Sequence, residues 1–170
     1  VLESVDCDAV AVGDVFGRRG AIVADALAAG RHVLCDKPAC TSLVELDRIE
    51  HLARTHRRSV GMMFELRDHG VFLGVRRLVR EGAIGEVRAA SFGGQHPLLL
   101  ATRPAWYHEP GAHLGTINDI AIHGIDALPW MTGLAFSKVV AAREWQHGVP
   151  AGSRFRNAAQ LMLAMENGCG

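Results

Sequence analysis

Apolar and polar residues follow one another in two different ways along this chain. Up to Phe64, short apolar runs alternate with longer stretches whose apolar positions recur at a period near 3.6. Asp8-Ala9-Val10-Ala11-Val12 predicts a strand, and Arg18 to Ala29 predicts a helix that stops at Gly30, a residue suited to a left-handed C-terminal cap. His32 to Cys35 reads as a buried strand. Thr41 or Ser42 caps the next helix, with Glu45 three residues after Ser42 as in a capping box, and Leu43, Leu46, Ile49, Leu52 and Ala53 form its apolar face. Ser59 to Phe64 returns as a third strand. Strands separated by helices of this size predict βαβ units, a parallel sheet and right-handed crossovers.

Beyond Phe64 the rhythm changes. Val71 to Arg80 is amphipathic and ends at Gly82, and Glu86 to Phe92 predicts a strand of mixed polarity. A polar, aromatic-rich loop leads to a helix from Gly115, then to strand candidates at Ser137 to Glu144 and Ala158 to Met165, with a turn at Glu166-Asn167-Gly168. Strands without intervening helices predict an antiparallel sheet. The fold class is α/β: a parallel sheet followed by an α+β part with a mainly antiparallel sheet, the boundary falling near Phe64 to His69.

The helix from Gly115 carries candidate chemistry. Asp119, His123 and Asp126 fall at i, i+4 and i+7 on one stripe, while Ile117, Ile120, Ala121, Gly124, Ile125 and Leu128 cover the other. Pro129 should kink or end this helix. An Asp/His pair of this spacing fits a general acid/base with its orienting group, but taken alone it is usually a solvated surface pair. Upstream, an apolar strand closes in Asp36-Lys37-Pro38. Strand ends are where open α/β sheets bind ligands, although the tripeptide alone also reads as a turn.

Composition narrows the partners. The chain has 170 residues, 49% of them hydrophobic, and its 18 basic and 18 acidic side chains cancel, so no electrostatic footprint for nucleic acid or an anionic membrane is visible. Four cysteines show no metal-ligand or redox spacing, which suits a reducing, cytoplasmic setting. No apolar run approaches the length of a membrane span.

Asp36-Lys37-Pro38, the Gly82-Ala83-Ile84-Gly85-Glu86-Val87 turn, Trp106 and the Gly115 to Asp126 helix, in that order, resemble the signatures of the glucose-fructose oxidoreductase, inositol dehydrogenase and rhizopine catabolism (Gfo/Idh/MocA) family. The resemblance implies a nicotinamide-dependent oxidoreductase, using NAD or NADP and acting on sugars, inositols or related polyols. It implies that residues 1–66 are the C-terminal half of a Rossmann domain and residues 67–170 the start of an α+β substrate domain.

Carried over residue by residue, the resemblance puts the family's lysine at Lys37, its aspartate at Asp119 and its histidine at His123. An imidazole with its ordinary pKa near ~6.5 suits a general base for a hydroxyl proton, and an ammonium beside the same oxygen stabilises alkoxide-like charge. Asp119 orients the imidazole or holds a neighbouring hydroxyl. Cofactor contacts are implied at Gly13, Asp14, Asp36, Lys37 and Pro38, and substrate contacts at Arg67, Trp106, Tyr107 and Asp119. Trp106 and Tyr107 offer faces that pack on a sugar, or else anchor their loop.

The Gly-x-Gly-x-x-Gly turn that cradles a dinucleotide is not in this chain. Asp8 to Val12 resembles the family's fourth strand, so about two βαβ units of ~30 residues each are expected before it. The chain is expected to be a piece of a longer protein, inactive alone, and its antiparallel sheet suits a homo-oligomer. Two rival readings stand beside the oxidoreductase: a metal-dependent hydrolase or isomerase using His108, His113, Asp119 and His123, and a non-catalytic remnant that acts as a binding module.

Overall fold

The computed structural model describes Leu2 and residues 4–170. Its chain divides into two compact units, Val1–Met63 with Arg103–Leu114 and Ala151–Phe155, and Phe64–Thr102 with Gly115–Pro150 and Arg156–Gly170.

The first unit carries a parallel sheet in the order β1-β2-β3, formed by Ala9–Val12, His32–Asp36 and Val60–Met63. Its connections are the helices α1, Phe16–Ala28, and α2, Leu43–His56. Two successive right-handed crossovers stepping in one direction put both helices on the same face of a sheet. Burial along β2 shows the result: Val33 and Cys35 are buried at 3% and 0% exposure, but Leu34 between them is 47% exposed. The expectation of a wholly buried strand is therefore corrected to one buried face. The core between sheet and helices holds Val12, Val23, Leu27, Val33, Cys35 and Ile49.

Ser42 caps α2 as its sequence indicates, with the return bond of the box displaced by one residue to Thr41. Ser42 Oγ accepts the Glu45 N–H at 3.2 Å, and the Glu45 carboxylate reaches back to the Thr41 N–H at 2.9 Å. Such a cap is worth about 1 kcal/mol. The apolar face of α2 is narrower than its spacing suggests, because Leu43 and Leu46 are exposed and only Ile49 is fully buried. Segment 103–114 lies against the start of α1, where Gly17 donates to the Ala112 carbonyl at 3.3 Å. A Cβ on Gly17 would stand 2.3 Å from the Gly111 oxygen, so this approach requires glycine.

In the second unit a short 3-10 turn, Glu65–Asp68, leads into α3, Gly70–Arg80. A π-helical turn at Ile117–Ala121 runs into α4, Ile122–Thr132, and β4, Phe136–Trp145, pairs antiparallel with β5, Ala158–Met165. Residues 86–92 do not form the expected strand. They form no regular element and are tied by single bonds from Ala90 N–H to the Gly170 carbonyl and from the Asn167 amide to the Val87 carbonyl, without a ladder. Pro129 does not end α4 either: the helix continues to Thr132 and closes at Gly133, at φ 78°.

Candidate active site

In the first unit the chemistry gathers at the C-terminal ends of β1 and β2. Gly13 and Asp14 follow β1, and nothing lies within 4 Å of where a Gly13 side chain would begin. Asp14 Oδ1 accepts the Val15 N–H at 2.6 Å and pairs with Arg18 at 2.6 Å, and the Arg18 bond, followed by the Val15 N–H, holds the Asp14 carboxyl below the usual range. After β2 the Lys37–Pro38 peptide is cis, and the Lys37 N–H donates to Asp36 Oδ1 at 2.8 Å. Lys37 Nζ stands 6.0 Å from the centre of the Phe16 ring, at the first residue of α1.

A residue that sequence reasoning passed over organises this end of the sheet. Arg19 is 3% exposed, and its guanidinium donates to the carbonyls of Asp14, Lys37 and Pro38 and to Asp36 Oδ2. Its only advance signal was helical spacing with Val23 and Leu27, four and eight residues on, which places it on the core side of α1.

Trp106 and Tyr107 join an aromatic cluster in the same unit. Trp106 lies 5.5 Å from Phe16 between ring centres and 4.2 Å from Tyr107, and His113, buried, is ringed by Phe16, Trp106, Tyr107 and Phe155 at 4.6 to 5.9 Å. His108 Nδ1 lies 2.9 Å from Ser153 Oγ. These contacts anchor the loop.

In the second unit Asp119 and His123 are both buried, at 5% and 9% exposure. That rules out the solvated surface pair. The opposite stripe of the helix, through Ile120, Gly124, Ile125 and Leu128, lines an apolar cavity of about 330 Å³ together with Phe92 and Leu161. Polar and apolar stripes are thus separated as predicted, but the polar stripe is the more deeply buried, since Ile125 on the apolar side is 37% exposed. His123 meets the Phe64 ring edge-on at 6.4 Å, and its Nε2 lies 3.9 Å from Glu65 Oε1, a carboxylate that the sequence alone did not single out. Asp126 holds Arg67 through two hydrogen bonds, from Nε at 2.8 Å and from one terminal nitrogen, and these bonds push the arginine further up from its ordinary value. The other terminal nitrogen lies outside that pair.

Among the described residues no group of three or more His, Cys, Asp or Glu side chains is placed to hold a metal ion. No helix of the described residues is long and apolar enough to cross a membrane. For a nicotinamide dinucleotide the fit is better. Parallel strand ends, the unobstructed Gly13 and the lysine after β2 form the setting in which α/β sheets take such ligands.

Comparison with known proteins agrees with that setting. A family model described as the oxidoreductase family, NAD-binding Rossmann fold, matches residues 1–64, and one described as the GFO/IDH/MocA C-terminal domain matches residues 72–169. An inositol 2-dehydrogenase of Acidothermus cellulolyticus is 30% identical over 141 residues, which cover 81% of this chain and 39% of that protein. A 1,5-anhydro-D-fructose reductase of Ensifer adhaerens is 28% identical over 162 residues, 89% of this chain and 48% of its own. The chain therefore spans less than half the length of either relative. A solved structure from Thermotoga maritima superposes with a TM-score of 0.84 at 28% identity, over 99% of this chain and 51% of that one. An inositol dehydrogenase homologue of Azotobacter vinelandii, solved with NAD+, shares the fold at a TM-score of 0.83 and 23% identity, over 95% of this chain and 43% of its own.

Proposed function

The chain belongs to the Gfo/Idh/MocA oxidoreductase family, and we propose that it serves hydride transfer between NAD or NADP and a hydroxyl-bearing carbon of a sugar, inositol or related polyol. The observation that carries this reading is the burial of Asp119 and His123 together on one turn of helix. A carboxylate and an imidazole are seldom kept from water without a partner or a task.

Gly13, Asp14, Asp36, Lys37 and Pro38 would hold the dinucleotide, residues 1–66 being its half of the protein and 67–170 the substrate's. When bound, the nicotinamide supplies the hydride acceptor. His123 Nε2 takes the substrate's hydroxyl proton in the oxidative direction and returns it in the reductive one. Glu65, 3.9 Å away, favours the imidazolium that results. The Lys37 ammonium stabilises negative charge developing on the substrate oxygen. Asp119 orients the imidazole or a neighbouring hydroxyl. Trp106 and Tyr107 give the ring a wall, and Arg67 offers its remaining N–H groups. Val139, Val140 and Met162, exposed on β4 and β5, suit a second copy of the chain.

The test is kinetic. In the complete protein, His123→Ala should lower turnover of myo-inositol or a related polyol by about 10²-fold or more while dinucleotide affinity, read by fluorescence titration, stays at the wild-type value. Equal turnover in mutant and wild type would remove the general-base role.

A further inference from the structure

The paired arginines at the start of α1 have opposite fates. Arg18 has 69% of its side chain exposed and pairs with Asp14, but Arg19 is 3% exposed and shares a face with Val23 and Leu27. A guanidinium in such surroundings is tolerated only when its donors are met. They are met from two strand ends at once: the Asp14 carbonyl after β1, and Asp36 Oδ2 at 2.9 Å on the last residue of β2 with the Lys37 carbonyl and the Pro38 carbonyl at 3.2 Å just beyond it. Asp36 in turn accepts the Lys37 N–H through its other oxygen. Lys37 is thus gripped on both sides of its Cα, its N–H by Asp36 and its carbonyl by Arg19. Both oxygens of the neighbouring carboxylate are engaged by these same groups, although its side chain is still 43% exposed.

We propose that Arg19 is the positioning residue for Lys37: a buried guanidinium that locks the strand-end loops together and fixes the backbone from which the ammonium is presented. This rests on the reading of Lys37 given above. Arg19 touches neither substrate nor cofactor in this role. Lysine cannot replace it, since one ammonium lacks the planar fork that spans acceptors from two loops.

Hydrogen exchange on the complete protein without cofactor tests the grip without any turnover. Arg19→Lys should speed exchange of the Lys37 amide at least tenfold and leave the β2 amides of Val33 and Cys35 at their wild-type rates, which separates loosening of the loop from loss of the fold. Unchanged exchange at Lys37 would overturn the proposal whatever the enzyme does. In the complete protein, with myo-inositol and NAD+ as the probes, Arg19→Lys should lower kcat about tenfold or more. Added to Lys37→Ala it should lower kcat no further, because its effect runs through that side chain. Should Arg19→Lys fail to fold, Asp36→Asn opens the same clamp from its other side and is expected to speed Lys37 exchange likewise. A normal kcat in Arg19→Lys beside a slow Lys37→Ala would sink the positioning role alone. Wild-type turnover in Lys37→Ala would sink both that role and the assignment of Lys37.

Discussion

The Glu144 carboxylate, on β4, accepts the backbone N–H of Ile117 at 2.8 Å, and so holds the first residue of the π-helical turn that carries Asp119. Its side chain is 10% exposed and lies 3.4 Å from Arg156 Nε. Gly115, at φ +88°, makes room for it, since a Cβ there would stand 2.5 Å from a Glu144 oxygen. A carboxylate at this end also favours the positive pole of the helix. Gly115→Ala should therefore destabilise by about 1 to 2 kcal/mol from its backbone conformation alone. Glu144→Ala should cost about as much through the lost, largely buried hydrogen bond. Chemical denaturation of each variant measures both values.

The fork between Arg67 and Asp126 joins the turn at Glu65–Asp68 to α4. The arginine side chain is 44% exposed and the aspartate 10%, so solvent screens only one side of the pair. A double-mutant cycle with Arg67→Ala and Asp126→Ala should return a coupling of about 1 kcal/mol, the upper range for such pairs. Additive losses would mean that the two side chains contribute independently.

Cys35 is wholly buried, and burial pushes its thiol up to about 11. The folded state then keeps this proton up to about pH 11, while an unfolded chain loses it around the ordinary thiol value of 9.0. Between those values the unfolded state binds fewer protons, so stability falls as pH rises. Denaturation midpoints measured from pH 8 to 11 should drop more steeply for the wild type than for Cys35→Ala. Burial, then the charge of Glu45, also raises Cys40, so iodoacetamide near pH 8 should leave both thiols largely unmodified in the folded chain.

Much of this architecture is legible before any coordinates. Alternating periods mark where β1, α1, β2, α2 and β3 lie, but not how deeply each is buried: Leu34 in β2 and Leu43 and Leu46 in α2 are exposed. The Ser42 and Glu45 pair marks a helix start because its bonds are local. Residues 86–92 failed as a strand for a nonlocal reason: a strand needs a partner along its length, and this segment meets only isolated acceptors and donors near Asn167 and Gly170. The helix bearing Asp119 and His123 was legible in its two stripes but not in its depth. Nothing in a 3.6-residue period reveals a π turn at Ile117–Ala121, or says that the polar stripe is covered. Arg19 was hidden beside Arg18, because two adjacent arginines on a helix look alike until the loops that satisfy one of them are in place.

Lys37 and His123 are assigned to the same chemical step, and residues that act as a unit show losses that do not multiply. The direct measurement is kcat for the complete protein carrying Lys37→Ala, His123→Ala and both, with a polyol it turns over and its preferred dinucleotide. The account predicts large losses in each single variant and a double variant scarcely slower than the worse of the two. Losses that multiply fully in the double variant, or singles that turn over like the wild type, would contradict it.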